Sequence, residues 1–259
     1  MSNYNTAVNS ALRKAFGFTR GESIRRVNGA RFLGVWVDEA LRWTEQIEKV
    51  RSKVGRLLGV LGRAVSVLGG NQIQRLYDAL VLPHLQYCLI VWGDFESGRN
   101  KTLGESLLKY QKRFLGLITE TKGRYHSEPL FSQLGILKIQ DMYKQQLRVH
   151  AWKFRNGRLP ENQANMLSNI SSVHRYATRS AQTGLFISTQ DHRSVGYRIP
   201  SEWDSLASNL QGMSSITGFK KKSKDGFIAQ YKSFKCTSIN CFVCSSRVRS
   251  VSRNAALDV

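Results

Sequence analysis

Three cysteines crowd the end of the chain, Cys236, Cys241 and Cys244, spaced Cys-x4-Cys-x2-Cys. Zinc takes four nitrogen or sulfur ligands in a tetrahedron, and the CxxC half suits one edge of such a site. No His or Cys follows Cys244. The fourth ligand would have to come from His174, His192 or a second chain, and three free cysteines are the alternative. Cys88 stands alone in an apolar run and reads as a small buried hydrophobe. The Asp191–His192 and His126–Glu128 pairs are single pairs with no nearby nucleophile candidate that stands out. No Walker A sequence and no dinucleotide glycine fingerprint occurs. The His-x-Asp of a non-haem iron site is also missing.

What remains is binding chemistry, and the charge says of what. There are 39 Lys and Arg against 18 Asp and Glu, a formal net charge of +21. An excess of that size points to a polyanion, RNA or DNA, with a merely basic soluble surface as the alternative. The cations are patterned. Arg42, Lys49, Arg56 and Arg63 recur every seven residues and Lys53 joins them. On a helix those five fall within roughly 40° either side of one line. That line is a candidate phosphate-facing stripe. A solvated face is the other reading, since Glu45 can pair with Lys49 at i,i+4. Lys109, Lys112 and Arg113 form a second cluster, and Lys220, Lys221 and Lys222 a third. In HRYATR at 174–179, Arg175 and Arg179 suit phosphates and Tyr176 suits stacking on a base. A loop whose Tyr176 and Thr178 only pack and cap is equally compatible.

The elements that must carry these residues are mostly helical. RFLGVWVD at 31–38 is β-rich, with Gly34 marking a bulge or close backbone approach, and Asp38 is placed to cap the next turn. Trp43, Ile47, Val50, Val54, Leu57, Leu58, Leu61, Val65 and Leu68 recur at helical spacing, predicting a helix from about Trp43 to Leu68 that Gly69-Gly70 ends. Ile73 to Trp92 reads as a second apolar helix, kinked or interrupted at Pro83. A third at about 101–119 turns Leu103, Leu107, Tyr110, Phe114, Leu117 and Ile118 inward. A short helix at 128–136 stops near Gly135. A long one runs from Ile139 to Phe154, with His150 at its core edge. Residues 161–200 are irregular. A short helix starts at IPSEW, 199–203, with Ser201 and Asp204 spaced as a capping box. Phe219, Phe227 and Tyr231 then alternate with lysines. The fold class expected is mainly α, with a small β element near the N-terminus and an irregular helical C-terminal region. No apolar run is long enough to cross a bilayer, so no membrane partner is expected. The cysteine usage and the polar start indicate an intracellular protein, nuclear or cytoplasmic.

Several of these stretches, taken in order, resemble one family. RFLGV at 31–35, LRW at 41–43, LYDALVLPHLQYCLIVWG at 76–93, LLKYQKRFLGLI at 107–118, EPLFSQLGILKIQDMYKQQL at 128–147, HRYATR and IPSEWDSL at 199–206 are similar to the region following the palm in reverse transcriptases of non-LTR, LINE-type, jockey-like retrotransposons. The resemblance spans about residues 31–231. It implies a polar leader at 1–30, a palm-edge strand of primer-grip type at 31–42 and a helical thumb at 43–125. A C-terminal helical linker at 126–235 and a Cys-containing tail at 236–259 would follow. Where many relatives have His-Ile after the tryptophan, this chain has Gln46-Ile47. The polymerase signature is absent, and no two aspartates are adjacent. Two-metal polymerisation needs carboxylates that share the metals, so Mg²⁺ would belong to a palm this sequence does not contain. The expectation is a non-catalytic reverse-transcriptase fragment that binds RNA, DNA or RNA–DNA hybrid. An intact retroelement polymerase is a further expected partner. The alternative is a helical scaffold or interaction module derived from a decayed element.

Overall fold

A computed structural model of the 259-residue chain describes residues 27–95, 98–121, 125–165, 167–169, 184–187, 194–233 and 241. The chain divides into two compact units between Trp43 and Thr44.

The described part of the first unit is a β-hairpin. β1 (Gly29–Phe32) pairs antiparallel with β2 (Val35–Asp38), with Phe32 opposite Val35. Leu33 and Gly34 form the turn, with φ of 47° and 86°. Two successive positive φ values are what a two-residue primed turn requires. The run expected as one strand is therefore two, and Gly34 supplies a turn rather than a bulge. Leu33 carries a Cβ in the left-handed region, which costs about 1–2 kcal/mol. Asp38 caps as expected. Its Oδ1 accepts from the N–H groups of Ala40 and Arg42 at 3.1 and 3.0 Å, and its Oδ2 from Trp43 at 2.8 Å.

The second unit is mainly α. Its first helix, α1 (Thr44–Ala64), buries Ile47, Val50, Val54 and Leu61. It packs along α5 (Gly98–Ile118), which buries Leu103, Leu107, Phe114, Leu115 and Ile118. α1 stops four residues before the expected end, and Gly69, at φ −71°, opens the next helix rather than closing this one. Gly70 is required for contact: a Cβ there would lie 2.1 Å from the Ile118 carbonyl oxygen.

The second apolar stretch is not one helix. α2 (Gly70–Leu76) passes through a π-helical turn (Tyr77–Val81) into α3 (Leu82–Gln86). Pro83 explains the π turn, since proline lacks an N–H and its ring crowds the carbonyl four residues back. The chain then breaks at Tyr87–Cys88, where Cys88 has φ 50°, before α4 (Leu89–Trp92). Cys88 is half-buried at this break, not packed in the core as expected.

The remaining layer comprises α6 (Glu128–Leu134), α7 (Ile139–Arg155), α8 (Glu161–Ala164), α9 (Val195–Asp204), α10 (Ser208–Gln211) and α11 (Ile216–Lys232). A two-residue pairing of β3 (Ser168–Asn169) with β4 (Leu185–Phe186) lies among them. Gly135, at φ 62°, stops α6 as expected. α9 starts earlier than the sequence indicates. Its cap is Ser194, whose Oγ accepts from the Gly196 N–H at 3.2 Å, and Ser201 is exposed within the helix. Trp152, Trp203 and Phe219 join α7, α9 and α11, with Phe219 6.2 Å from each tryptophan by ring centroids.

One buried polar residue ties the layers together. The Gln111 amide on α5 donates to Tyr77 Oη and to the Leu137 carbonyl, both at 3.2 Å. Its Oε1 accepts from the Ile139 N–H at 2.8 Å. Tyr110, expected inward, is only half-buried and covers Gly55 of α1 instead. Among the described residues no helix is long and apolar enough to cross a membrane.

Candidate nucleic-acid interface

α1 presents Lys49, Lys53, Arg56 and Arg63 on the side away from its buried row. All four are exposed. At 1.5 Å per residue, Lys49 to Arg63 spans about 21 Å, a length over which a duplex offers on the order of a dozen phosphates. Glu45 lies 3.9 Å from Lys49, both side chains being largely exposed. Such a pair contributes a few tenths of a kcal/mol and leaves the lysine available. Lys53, Arg56 and Arg63 form no ion pair among the described residues. On α3 the His84 imidazole is held below its ordinary range by burial, and secondly by the Lys53 charge. Val60 is exposed on the same line, and Val67 is exposed in the turn that follows α1.

Arg42 does not belong to this line. It precedes α1, flanked by Leu41 and Trp43 with φ of 51° and 61°. The seven-residue phase therefore does not reach it. Its guanidinium turns back to Asp38 at 3.9 Å, within the first unit.

The second cluster splits. Lys109 and Arg113 are exposed and four residues apart on α5, whereas Lys112 is half-buried. The Lys112 carbonyl accepts from Tyr125 Oη at 2.9 Å. Arg113 sits 5.9 Å from the Tyr110 ring centroid and lines a cleft with Leu58, Gly62 and Tyr125. The third cluster splits as well. Lys220, Lys221 and Lys222 are all exposed, but successive residues point 100° apart. Lys220 shares its flank of α11 with Lys224, one of the lysines interleaved with the aromatics but outside the expected cluster. Both follow by one position the buried row Phe219, Ser223, Phe227, Tyr231. That i,i+4 spacing was the available signal.

Arg175, Tyr176, Arg179, Cys236 and Cys244 lie outside the described residues. Cys241 is buried, and its Sγ accepts from the His126 backbone N–H at 3.4 Å. Among the described residues no three His, Cys, Asp or Glu side chains are placed to hold a metal.

Three cations of the layer from α6 to α11 are used differently. Arg148 meets Glu202 with Nη2 and Nε at 2.6 and 2.7 Å, and lies 4.3 Å over the Phe227 ring. Arg198 meets Asp94 at 2.8 Å. Lys138 meets Glu128 at 3.3 Å. Burial alone would push the Glu128 carboxyl up. Its own backbone N–H, Lys138 and Lys112 outweigh burial and hold it below its ordinary range. The Tyr231 hydroxyl donates to Asp141 and accepts from the Lys138 N–H at 3.2 Å. Burial and the Asp141 charge push that phenol up.

Comparison with protein-family models, with curated proteins and with solved structures finds no match to this chain.

Proposed function

We propose that the second unit is a nucleic-acid grip, holding the phosphates of RNA–DNA hybrid or structured RNA along α1. It would act as the thumb of a non-LTR reverse transcriptase does, without a catalytic step of its own. One observation carries this: four cations stand exposed on one face of α1, three of them without an ion pair among the described residues. Contacts of this kind give affinity and orientation but read no sequence. The test is a filter-binding titration of the full chain against RNA–DNA hybrid and structured RNA at several salt concentrations. Four phosphate contacts give a log–log salt slope of about −3 to −4. Absence of affinity for both ligands at low salt would falsify the reading.

A second reading, a helical interaction module, draws on Val60, exposed among those same cations, and on Val67, exposed in the turn after α1. It predicts a protein contact that survives or strengthens with salt, because apolar burial is not screened.

A further inference from the structure

We infer that the second unit carries a separate site for one unpaired nucleotide, in a cleft between α3, α7 and α11. The inference rests on the reading of this unit as a nucleic-acid binder, and it names a ligand class that the α1 line does not serve.

The cleft encloses about 400 Å³. Ile90, Met142 and Val149 give it an apolar floor, and Gln86, His150, Lys153 and Lys220 stand around it. Its walls are fastened by amides from α7. Gln146 Nε2 donates to the Gln86 carbonyl at 3.0 Å, and its Oε1 accepts from the Ile90 N–H at 3.0 Å. These are backbone groups left open where the chain breaks between α3 and α4, so one side chain satisfies both ends of the break. Gln145 Nε2 donates to the Lys220 carbonyl at 3.1 Å and ties α11 to the same helix. The cleft is therefore held by three cross-links rather than left as a gap between helices.

Its chemistry selects a ligand. Among the described residues no carboxylate lines it, and two ammonium groups, Lys153 and Lys220, do. Cationic ligands are disfavoured and a phosphate is favoured. His150 is kept neutral by burial and by Lys153, and a neutral imidazole both donates and accepts. An apolar floor, an amide and imidazole wall and a cationic rim suit a flat heteroaromatic ring joined to a phosphate. The cleft also runs on. It shares Gln86, Met142 and Gln145 with a second cleft of about 240 Å³ that Lys224 and Asp78 line. A ligand is not terminated there, which suits a strand passing through better than a free mononucleotide. α3 packs against α1 and also lends Gln86 to the cleft, while no residue of α1 lines it.

The experiment is fluorescence anisotropy of the full chain at low salt. The probes are a labelled single-stranded oligouridylate and a labelled blunt RNA–DNA hybrid of equal length, with UMP as competitor. Two cleft variants, Lys153→Gln with Lys220→Gln, and Val149→Trp, are compared with the fourfold α1 variant Lys49→Gln, Lys53→Gln, Arg56→Gln, Arg63→Gln. Circular dichroism shows that each folds. We expect each cleft variant to weaken the oligouridylate about tenfold and the hybrid less than about twofold. The α1 variant should do the reverse, and millimolar UMP should leave the oligouridylate bound. Displacement by UMP that Val149→Trp abolishes would make this a mononucleotide site and overturn the strand assignment. Unchanged oligouridylate affinity in both cleft variants, with hybrid binding still lost in the α1 variant, would sink this inference alone. Failure of the native chain to bind either probe would remove the grip and the cleft together.

Discussion

The four aligned cations of α1 and three cations of the α6–α11 layer, Arg148, Arg198 and Lys138, live under opposite rules. On α1 they stand in water, and Glu45, the carboxylate 3.9 Å from Lys49, is itself largely exposed. In the other layer Arg148 and Arg198 are mostly buried, each against its own carboxylate. The excess of positive charge is larger in the downstream part of the sequence. Yet that is where Arg148, Arg198 and Lys138 are committed to holding helices together. A basic composition therefore overstates the surface available to a polyanion. What matters is which cations the fold leaves without a carboxylate.

The largest expected effect lies in the paired layer. Arg148→Met keeps an apolar body over Phe227 but strands Glu202, whose side chain is 15% exposed. Removing one partner of a buried pair costs about 3–5 kcal/mol, and this partial exposure places the loss near ~3 kcal/mol. Urea denaturation measures it. A loss below ~1 kcal/mol would mean that water already solvates the pair, and the contrast between the two regions would collapse.

Gln111→Leu comes next. It leaves the Leu137 carbonyl, the Ile139 N–H and the Tyr77 hydroxyl without the partner they share. One stranded buried group costs about 1–3 kcal/mol, so a loss of ~2 kcal/mol in the same measurement is expected. The Tyr77 phenol, pushed up to about 12 chiefly by burial with Gln111 opposing, should titrate higher still in the variant. Ultraviolet difference titration reads that shift.

Gln111 also marks the limit of the sequence. The mainly helical class was legible because rows such as Ile47, Val50, Val54 and Leu61 repeat at helical spacing and are buried. The Asp38 cap and the Gly135 stop were legible because each is a local backbone requirement. Tyr110 and Gln111 differ by one position, and an apolarity rule chose the tyrosine. The structure instead buries the residue that can satisfy three groups at once. The break at Cys88 was hidden for a similar reason: Gln146, distant in sequence, satisfies the backbone that the break exposes. Arg42 was misplaced because periodicity cannot see the positive φ at Leu41 and Trp43. The cleft has no sequence signature, since its walls come from helices far apart along the chain.

Glu128→Gln should give a smaller, pH-dependent effect. The folded carboxyl is held below its ordinary range, so it contributes stability above the unfolded pKa that is lost as pH falls through the folded one. Glutamine does not titrate. The native chain should exceed the variant by ~1 kcal/mol at pH 7, and the gap should close as pH falls below the ordinary carboxylate range. Urea midpoints at pH 7 and pH 3 check this. A gap that persists in acid would assign the loss to packing.

The smallest expected effect on stability comes from the change that should matter most for binding. The fourfold neutralisation of Lys49, Lys53, Arg56 and Arg63 removes one exposed pair with Glu45, worth at most about 0.5 kcal/mol. It also removes two repulsions of similar size, Lys49 with Lys53 at i,i+4 and Lys53 with Arg56 at i,i+3. The terms nearly cancel, so the variant should match the native chain within about 0.5 kcal/mol, or gain slightly. By the same logic added salt should stabilise the native chain more than the variant, since the native chain has the additional like charges along α1 to screen. Exposed cations kept for folding would behave as Arg148 does, and the variant would lose well over ~1 kcal/mol. Cations kept for a polyanion leave the fold indifferent to their removal.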